Sequence, residues 1–518
     1  MHAPGTTPDS TAPRSTARAV AVIAVLAFSS LCAALMQSLV IPIQSELPEL
    51  LGTSPSTASW VVTATLLGGA VAMPVTGRLA DMYGNKPVLV TSSVILLVGS
   101  LVCAISDSVG PVLIGRVLQG LAMGYIPVAI SMVRQAAPPH LRNTAVAGVS
   151  ATLGIGGAIG LPLAAWIAQD FDWHMLFWVS AALAAVMTLL TLVVVPHLRN
   201  AHPGRLDVVG ALGLAVGLVG VLVGVSKGND WGWAEASTLG LIGGGLVVLL
   251  LWGRYELRHD DPLVDLRTST RRPVLLTNIA AVLIGFGMMA QSIVVPQLLQ
   301  MPEATGYGLG QTILQAGLWM APGGLMMMLF TPVSSRMLTR LGGRITLAVG
   351  ASVLALGYVV ATFLMDAPWQ LMVASCVATA GVGIGYAAMP TLILNNVPTD
   401  ESAASVGLNS LMRSMGTTVA GAVMAMVLTA QTVDLAPGVT IPAESSFTWC
   451  FVIGAVAAAL GALVVLFVPK DNPGALDDDR QEDQVDEADA DRTAGSPDDR
   501  PASRATTNPA TSETSAVG

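Results

Sequence analysis

The feature that most constrains this chain is the recurrence of apolar runs about twenty residues long. A helix of that length crosses the roughly 30 Å of hydrocarbon in a bilayer. Hydrocarbon offers backbone N–H and C=O groups no water, so a spanning segment pairs them inside a helix or a closed barrel. The runs are near-continuous and lack short period-2 segments, which excludes the barrel and predicts an all-α polytopic membrane protein. Fourteen spans are predicted, at 19–42, 57–78, 87–106, 111–133, 145–168, 174–195, 206–226, 236–254, 273–297, 314–334, 344–364, 368–391, 404–428 and 446–468. Composition agrees: 53% of residues are hydrophobic and 11% charged, too few charges for the surface of a water-soluble chain this long.

The charges that remain are placed unevenly. With the N-terminus inside, the inner loops receive Arg78, Lys86, Arg134, Arg142, Arg199, Arg205, Arg254, Arg258, Arg267, Arg271, Arg272, Arg336, Arg340 and Arg344, and the outer loops only Lys227. This bias predicts both termini in the cytoplasm, an even number of spans and a multi-pass protein of the inner (plasma) membrane. Arg14 and Arg18 ahead of the first run imitate a signal peptide, but no clear cleavage site follows, so the run reads as an uncleaved span. The formal net charge of -9 belongs to the tail, since Asp471–Gly518 holds thirteen Asp/Glu and four Arg. With almost no large apolar residues, 470–518 is expected to be disordered, and its acidity points to no nucleic-acid partner. Cys32, Cys103, Cys376 and Cys450 all fall in apolar stretches without disulfide or metal spacing.

An internal repeat organises the spans. "PVTGRLADMYGNKPVL" from Pro74 and "PVSSRMLTRLGGRITL" from Pro332 align at an offset of 258, pairing Arg78 with Arg336, Gly84 with Gly342 and Lys86 with Arg344. A looser echo relates "GLAMGYIPVAI" from Gly120 to "GVGIGYAAMPTLI" from Gly381. The copies are not equal, because Thr339 stands where the first loop has Asp81. Two related halves are a common plan of secondary transporters. The expected domains are a cytoplasmic segment 1–17, a six-helix bundle 18–198, two extra helices and a linker 199–272, a second six-helix bundle 273–469, and the tail 470–518.

The first repeat also carries a resemblance. Gly77, Arg78, Leu79, Ala80, Asp81, Gly84 and Lys86 fit the loop signature G-x-L-A-D-x-x-G-x-K/R of the major facilitator superfamily, and the chain from about 15 to 470 resembles its fourteen-helix drug:proton antiporter branch. The resemblance implies two six-helix bundles plus two additional central helices, and a cytoplasmic gate formed by Gly77, Arg78, Asp81, Gly84 and Lys86 with Arg336 and Arg344 of the second copy. Asp81 can pair with a basic group or cap a neighbouring helix N-terminus. "LIGRVLQG" from Leu113 resembles the family's fourth-helix motif, which implies a coupling role in the cavity wall for Arg116, joined by Gln119. The residues alone leave snorkelling open for Arg116. "GIGGAIGLPLAAW" from Gly154 resembles the antiporter motif of the fifth helix through Gly156 and Gly160, with the proline displaced to Pro162 and alanines in place of paired glycines. Small residues there permit close helix contact.

A sharper departure lies in the first span, where Met36 stands in place of the embedded Asp common in that branch and Gln37 follows. No Asp or Glu sits deep in any predicted span; protonatable carboxylates lie in loops and at ends, chiefly Glu46, Asp81, Asp107, Asp170, Asp172, Asp207, Glu303 and Asp366. Their absence favours a neutral or anionic substrate, with Arg116 as counter-charge. Gln291 is a further cavity candidate, with interhelical hydrogen bonding the alternative, and Arg413 is either an interfacial charge or the partner of an acid. Trp60 and Trp319 can stack on a flat substrate or anchor the interface. There is no Walker sequence and no metal or haem spacing, so neither an enzyme nor a cofactor is expected. The expected function is proton-coupled efflux of hydrophobic small molecules such as drugs or antibiotics, by a monomer in the lipid bilayer. An uptake permease for a neutral or anionic metabolite and a non-transporting scaffold or sensor are the alternatives.

Overall fold

The structure is a computed structural model that describes residues 12–40, 43–44, 46–197, 206–259, 261–398, 401–436 and 439–469. The expectation of disorder for 470–518 lies outside these residues. Thirteen helical stretches among them are long and apolar enough to cross a membrane. We number them α1 (Ala17–Ser38), α2 (Ser56–Tyr83), α3 (Asn85–Ala104), α4 (Val109–Ala136), α5 (Pro139–Asp170), α6 (His174–Val194), α7 (Val208–Trp231), α8 (Ala236–Glu256), α9 (Arg272–Gln300), α10 (Ile313–Phe363), α11 (Pro368–Asn395), α12 (Ser402–Ala430) and α13 (Glu444–Leu466). The spans expected at 314–334 and 344–364 fall within α10, save for Leu364 just past its end. Straight, its 51 residues would run for more than 70 Å, about two and a half times the hydrocarbon thickness. Instead the helix kinks at Gly342, whose φ of 80° and ψ of 170° are not helical. Gly84, its partner in the repeat, has φ 90° and ψ 154° and is the single residue between α2 and α3. A side chain at either position would be strained, which is why the sequence keeps glycine at both.

The looser echo also has a structural counterpart. In α4 the helix tightens into a 3-10 turn over Ala122–Gly124, and in α11 it is interrupted between Gly385 and Ala388. Pro127 and Pro390 follow these breaks. Lacking an N–H, each leaves the carbonyl four residues upstream without its helical donor. Two further features departed from expectation. Thr432–Ala436 (β1) and Val439–Pro442 (β2) pair as a short antiparallel hairpin between α12 and α13. Short helices Leu47–Leu50 and Leu266–Thr270 occupy loops.

Apolar burial is arranged mainly by sequence half. One buried cluster runs almost wholly through α9 to α13, from Ala280 to Val468. A second centres on α1 to α6, through Leu26, Leu89, Val128 and Met187, and also takes in Val274, Ile393, Leu394, Val397, Ala403 and Val406 of the second half. A third stays within the first half, through Leu39, Val61 and Phe177. A fourth joins Leu214, Leu218 and Leu222 of α7 to Ala70 of α2, Leu408 and Leu411 of α12, and the connecting residues Leu263 and Val264. α8 packs mainly on α7. Within each set, glycines bring backbones together. A Cβ on Gly99 would lie 2.7 Å from Gly115 O, one on Gly350 2.5 Å from Gly385 N, and one on Gly245 2.7 Å from Val221 N.

Such contacts are backbone to backbone and cannot be relieved by a rotamer change. A Cβ on Gly381 would collide with Leu354 N, whereas one on Gly148 would meet nothing within 4 Å. Gly381→Val should therefore lower the thermal unfolding midpoint of the detergent-purified protein by several degrees, and Gly148→Ala should leave it within about a degree. Equal midpoints for the two variants would show that the α10–α11 contact tolerates separation.

Candidate functional site

The groups that begin an α-helix have N–H donors with no partner in the helix. At the start of α12 those of Ala403 and Ala404 are satisfied from a distant part of the chain. Ala403 N–H donates to Asp81 Oδ1 at 3.0 Å and Ala404 N–H to Asp81 Oδ2 at 2.8 Å. Asp81 is 6% exposed, so its charge is held against the positive end of the α12 dipole and away from water. Of the two roles left open for Asp81, the structure shows the helix cap. The approach that permits it is made by glycine on both sides. A Cβ on Gly77 would collide with Ala403 O and lie 2.7 Å from Ala404 Cα; one on Gly407 would collide with Met73 O. Ser131 of α4 and Ser402 add a hydroxyl contact at 2.9 Å.

The remaining signature residues divide their work. Lys86 Nζ donates to Leu192 O at 2.8 Å, capping the end of α6, and so belongs to the first helix set alone. Arg78 is half-buried and its Nε has no hydrogen-bond partner. Arg336 is exposed and Arg344 half-buried, and neither makes an ion pair among the described residues. The second copy does meet the opposite set of helices. Ser335, the counterpart of Gly77, lies 2.6 Å from Thr144 through the two hydroxyls, and Asn143 Nδ2 donates to Thr339 Oγ1 at 3.5 Å. The start of α5 thus faces Thr339 as the start of α12 faces Asp81, with hydroxyls in place of a carboxylate.

Deeper in the helices, Arg116 is 2% exposed. Its Nε donates to Val61 O at 3.0 Å and its Nη1 to Gln119 Oε1 at 2.6 Å, while Gln119 Nε2 donates to Ser100 Oγ at 2.9 Å. Arg116 and Gln119 are therefore brought together between α2, α3 and α4. No carboxylate lies within 4.0 Å of Arg116 among the described residues. Arg413 lies over the ring of Tyr386, 5.0 Å from its centre, again without an ion pair. Gln37 and Gln291 are half-buried, and neither side-chain amide has a hydrogen-bond partner among the described residues; Asn278 and Asn409 instead bond to each other at 2.9 Å.

On α5, Gly156 and Gly160 face α1. A Cβ on Gly156 would lie 2.6 Å from Ala34 Cβ, and Ser38 Oγ meets Gly156 O at 3.4 Å. Pro162 faces the other way, against Gly317 of α10. Trp60 carries the Lys227 ammonium 5.2 Å from its ring centre, and Trp319 Nε1 donates to Gln311 Oε1 at 3.0 Å. Lys227, expected in an outer loop, lies inside α7, because the helix runs on to Trp231. It is 2% exposed and bonds Ser59 Oγ, Ser56 O at 3.3 Å and Asp230 Oδ2 at 3.0 Å. Two residues on, Asn229 Nδ2 donates to Ala422 O of α12 at 3.0 Å. At the opposite ends of α3 and α6, His174 joins Asp172 at 2.5 Å and Asp107 at 3.3 Å, and the His174 N–H bonds hold the Asp172 carboxyl below the usual range.

Known proteins bear on this arrangement. The chain is 28% identical over 390 residues to "Multidrug resistance protein B homolog" of Mycobacterium tuberculosis (strain ATCC 25618 / H37Rv), covering 73% of this chain and 71% of that protein. It is 28% identical over 292 residues to "Probable multidrug resistance protein EmrY" of Escherichia coli (strain K12), covering 55% of each. Its fold is similar to that of the human organic anion transporter MFSD10, with a TM-score of 0.63 at 16% identity over 86% of this chain and 99% of the other. It is also similar to that of the proton:xylose symporter XylE, with a TM-score of 0.60 at 14% identity over 88% and 97%. The sequence profile of the Major Facilitator Superfamily matches residues 26–421. The chain is therefore a member of the major facilitator superfamily, a multi-pass membrane protein that moves small molecules by secondary active transport and not an enzyme.

Proposed function

We propose that this transporter works by alternating access on neutral or anionic organic small molecules, and that Asp81 latches its cytoplasmic face. The observation that carries the gate is the pair of N–H bonds from Ala403 and Ala404 to Asp81, which ties residues more than three hundred positions apart. In this reading α10 counts as two spans divided at Gly342, giving fourteen, with bundles 18–198 and 273–469 flanking the extra pair α7 and α8. This reading also puts Asp81 and both termini on the cytoplasmic side of the plasma membrane, which the Arg-bearing loops support. The substrate class follows from charge. Arg413, half-buried within its span, has no carboxylate partner among the described residues, so a cationic substrate reaching it would meet like charge. Gln37 and Gln291 offer unpaired amides to a polar group of the substrate.

A second reading, proton-driven export of hydrophobic compounds by a monomer, is favoured by the printed names of the mycobacterial and Escherichia coli relatives. Accumulation in a cell lacking its own exporters separates the two, followed for cationic dyes and for labelled neutral and anionic compounds, with and without a protonophore. Energy-dependent flux confined to the neutral and anionic set is the expected outcome. Protonophore-sensitive extrusion of the cationic dyes would establish the second reading in its place.

Two variants probe the residues. Asp81→Asn removes the charge and one acceptor, weakening the cap by ~1–2 kcal/mol. Flux should fall at least tenfold at unchanged membrane abundance; wild-type flux would defeat the latch. Arg413→Gln should reduce flux of anionic compounds about tenfold or more and of neutral ones much less, read as initial rates against concentration. Equal losses for both classes would assign Arg413 to packing on Tyr386.

A further inference from the structure

A second buried carboxylate lies close to Asp207, at the junction of α7, α8 and the linker. Asp207 precedes α7 and is 6% exposed; Glu256 ends α8 and is 2% exposed. One oxygen of each is occupied. Asp207 Oδ1 accepts from Gly210 N–H at 2.8 Å and from Tyr255 OH at 3.1 Å. Glu256 Oε2 accepts from Leu263 N–H at 3.0 Å. The other two, Asp207 Oδ2 and Glu256 Oε1, are buried and have no hydrogen-bond partner.

Those two oxygens converge. A Cβ on Gly210 would collide with Asp207 Oδ2 and lie 2.6 Å from Glu256 Oε1, which puts the oxygens within about 5 Å of each other. No Lys, Arg or His nitrogen lies within 4.0 Å of either carboxylate among the described residues. Besides Leu263 N–H, the Trp252 Nε1–H and the Val264 N–H are directed at the Glu256 carboxylate, both short of ideal hydrogen-bond geometry. Of the neighbouring charged and titratable groups, Arg254, Arg258 and Asp261 are exposed and make no ion pair with either carboxylate among the described residues, and three others bond or stack elsewhere. His259 stacks on Tyr255 with ring centres 5.1 Å apart, Arg267 Nη2 bonds Leu257 O at 3.1 Å, and Asp265 caps the short helix Leu266–Thr270. From α2 and α12 the neighbouring cluster receives the apolar Ala70, Leu408 and Leu411.

Two buried like charges this close cannot both stay ionised without compensation. A hard metal cation takes six or more oxygens, and only two are unoccupied here. One proton needs no more than these two. We propose that Asp207 and Glu256 form a proton-binding carboxyl pair that holds one shared proton at neutral pH. Proton binding stands on the carboxylate geometry; that the pair gives a transporter its protonatable group, in a chain with none deep in its spans, rests on the transport reading above.

Infrared spectroscopy of the purified full-length protein tests the pair without a transport assay, so its outcome is independent of the transport reading. From about pH 6 to pH 8 the wild type should show a protonated-carboxyl C=O band that shifts in D2O. The band should persist in Asp81→Asn and disappear in Glu256→Gln and in the Asp207→Asn, Glu256→Gln double variant, which keep the N-cap and the packing volume. No such band in the wild type across that range overturns the proposal, and this holds even if neither variant folds. Survival of the band in the double variant overturns it too. A band seen only when choline replaces sodium assigns the pair to an alkali cation and overturns the proton assignment.

Discussion

Lipid gives apolar side chains no reason to leave it, so helices in a bilayer hold together by close contact and by polar groups that have nowhere else to go. This constraint runs through the whole molecule. α2 meets α4 where a Cβ on Gly68 would come 2.9 Å from Val117 O, α5 meets α1 at Gly156, and α7 meets α8 at Gly217 and Gly245. The seam between the sequence halves is built the same way at Gly77 and Gly407, with the Asp81 carboxylate beside them. A glycine contact gives attraction without directional bonds to break, and the buried polar groups, Asp81 above all, fix which register the seam adopts.

Much of this could be read from the chain itself. Apolar length fixed the spans because hydrocarbon thickness admits few alternatives, and the repeat at an offset of 258 foretold two glycines with matching positive φ, at 84 and 342. The role of Asp81 was legible to the point of two options, and tertiary contact with Ala403 and Ala404 chose between them. Other features depend on encounters between distant segments. That Lys86 caps α6, that Trp60 carries Lys227, and that Pro162 faces Gly317 follow from helix order and rotation, which periodicity in a uniformly apolar span does not encode. Glu256 escaped notice because it lies just past a predicted span end, among the charges of "YELRHDD". Only its meeting with Asp207 sets it apart from them.

α7 and α8 differ in what they pack against. α7 is bonded to α2 through Lys227 and to α12 through Asn229, and the same two helices pack with its apolar face through Ala70, Leu408 and Leu411. α8, by contrast, buries only Thr238, Gly245 and Glu256 along its length and leaves the rest half-buried or exposed. The pair thus has one helix committed to the seam and one committed to the bilayer, with the Asp207–Glu256 junction where they meet the linker.

The unequal repeat has a mechanical corollary. At one seam a carboxylate sits on two backbone donors of α12; at the other, hydroxyls of Ser335 and Thr339 face Thr144 and Asn143 of α5. Hydroxyls trade one another for water at little net change in free energy, and they slide, because either can donate. A carboxylate gripping a helix end does neither: it is made or broken. Within the proposed cycle the α5–α10 seam serves as a bearing and the α2–α12 seam as a catch, and the difference between Asp81 and Thr339 sets the direction of opening.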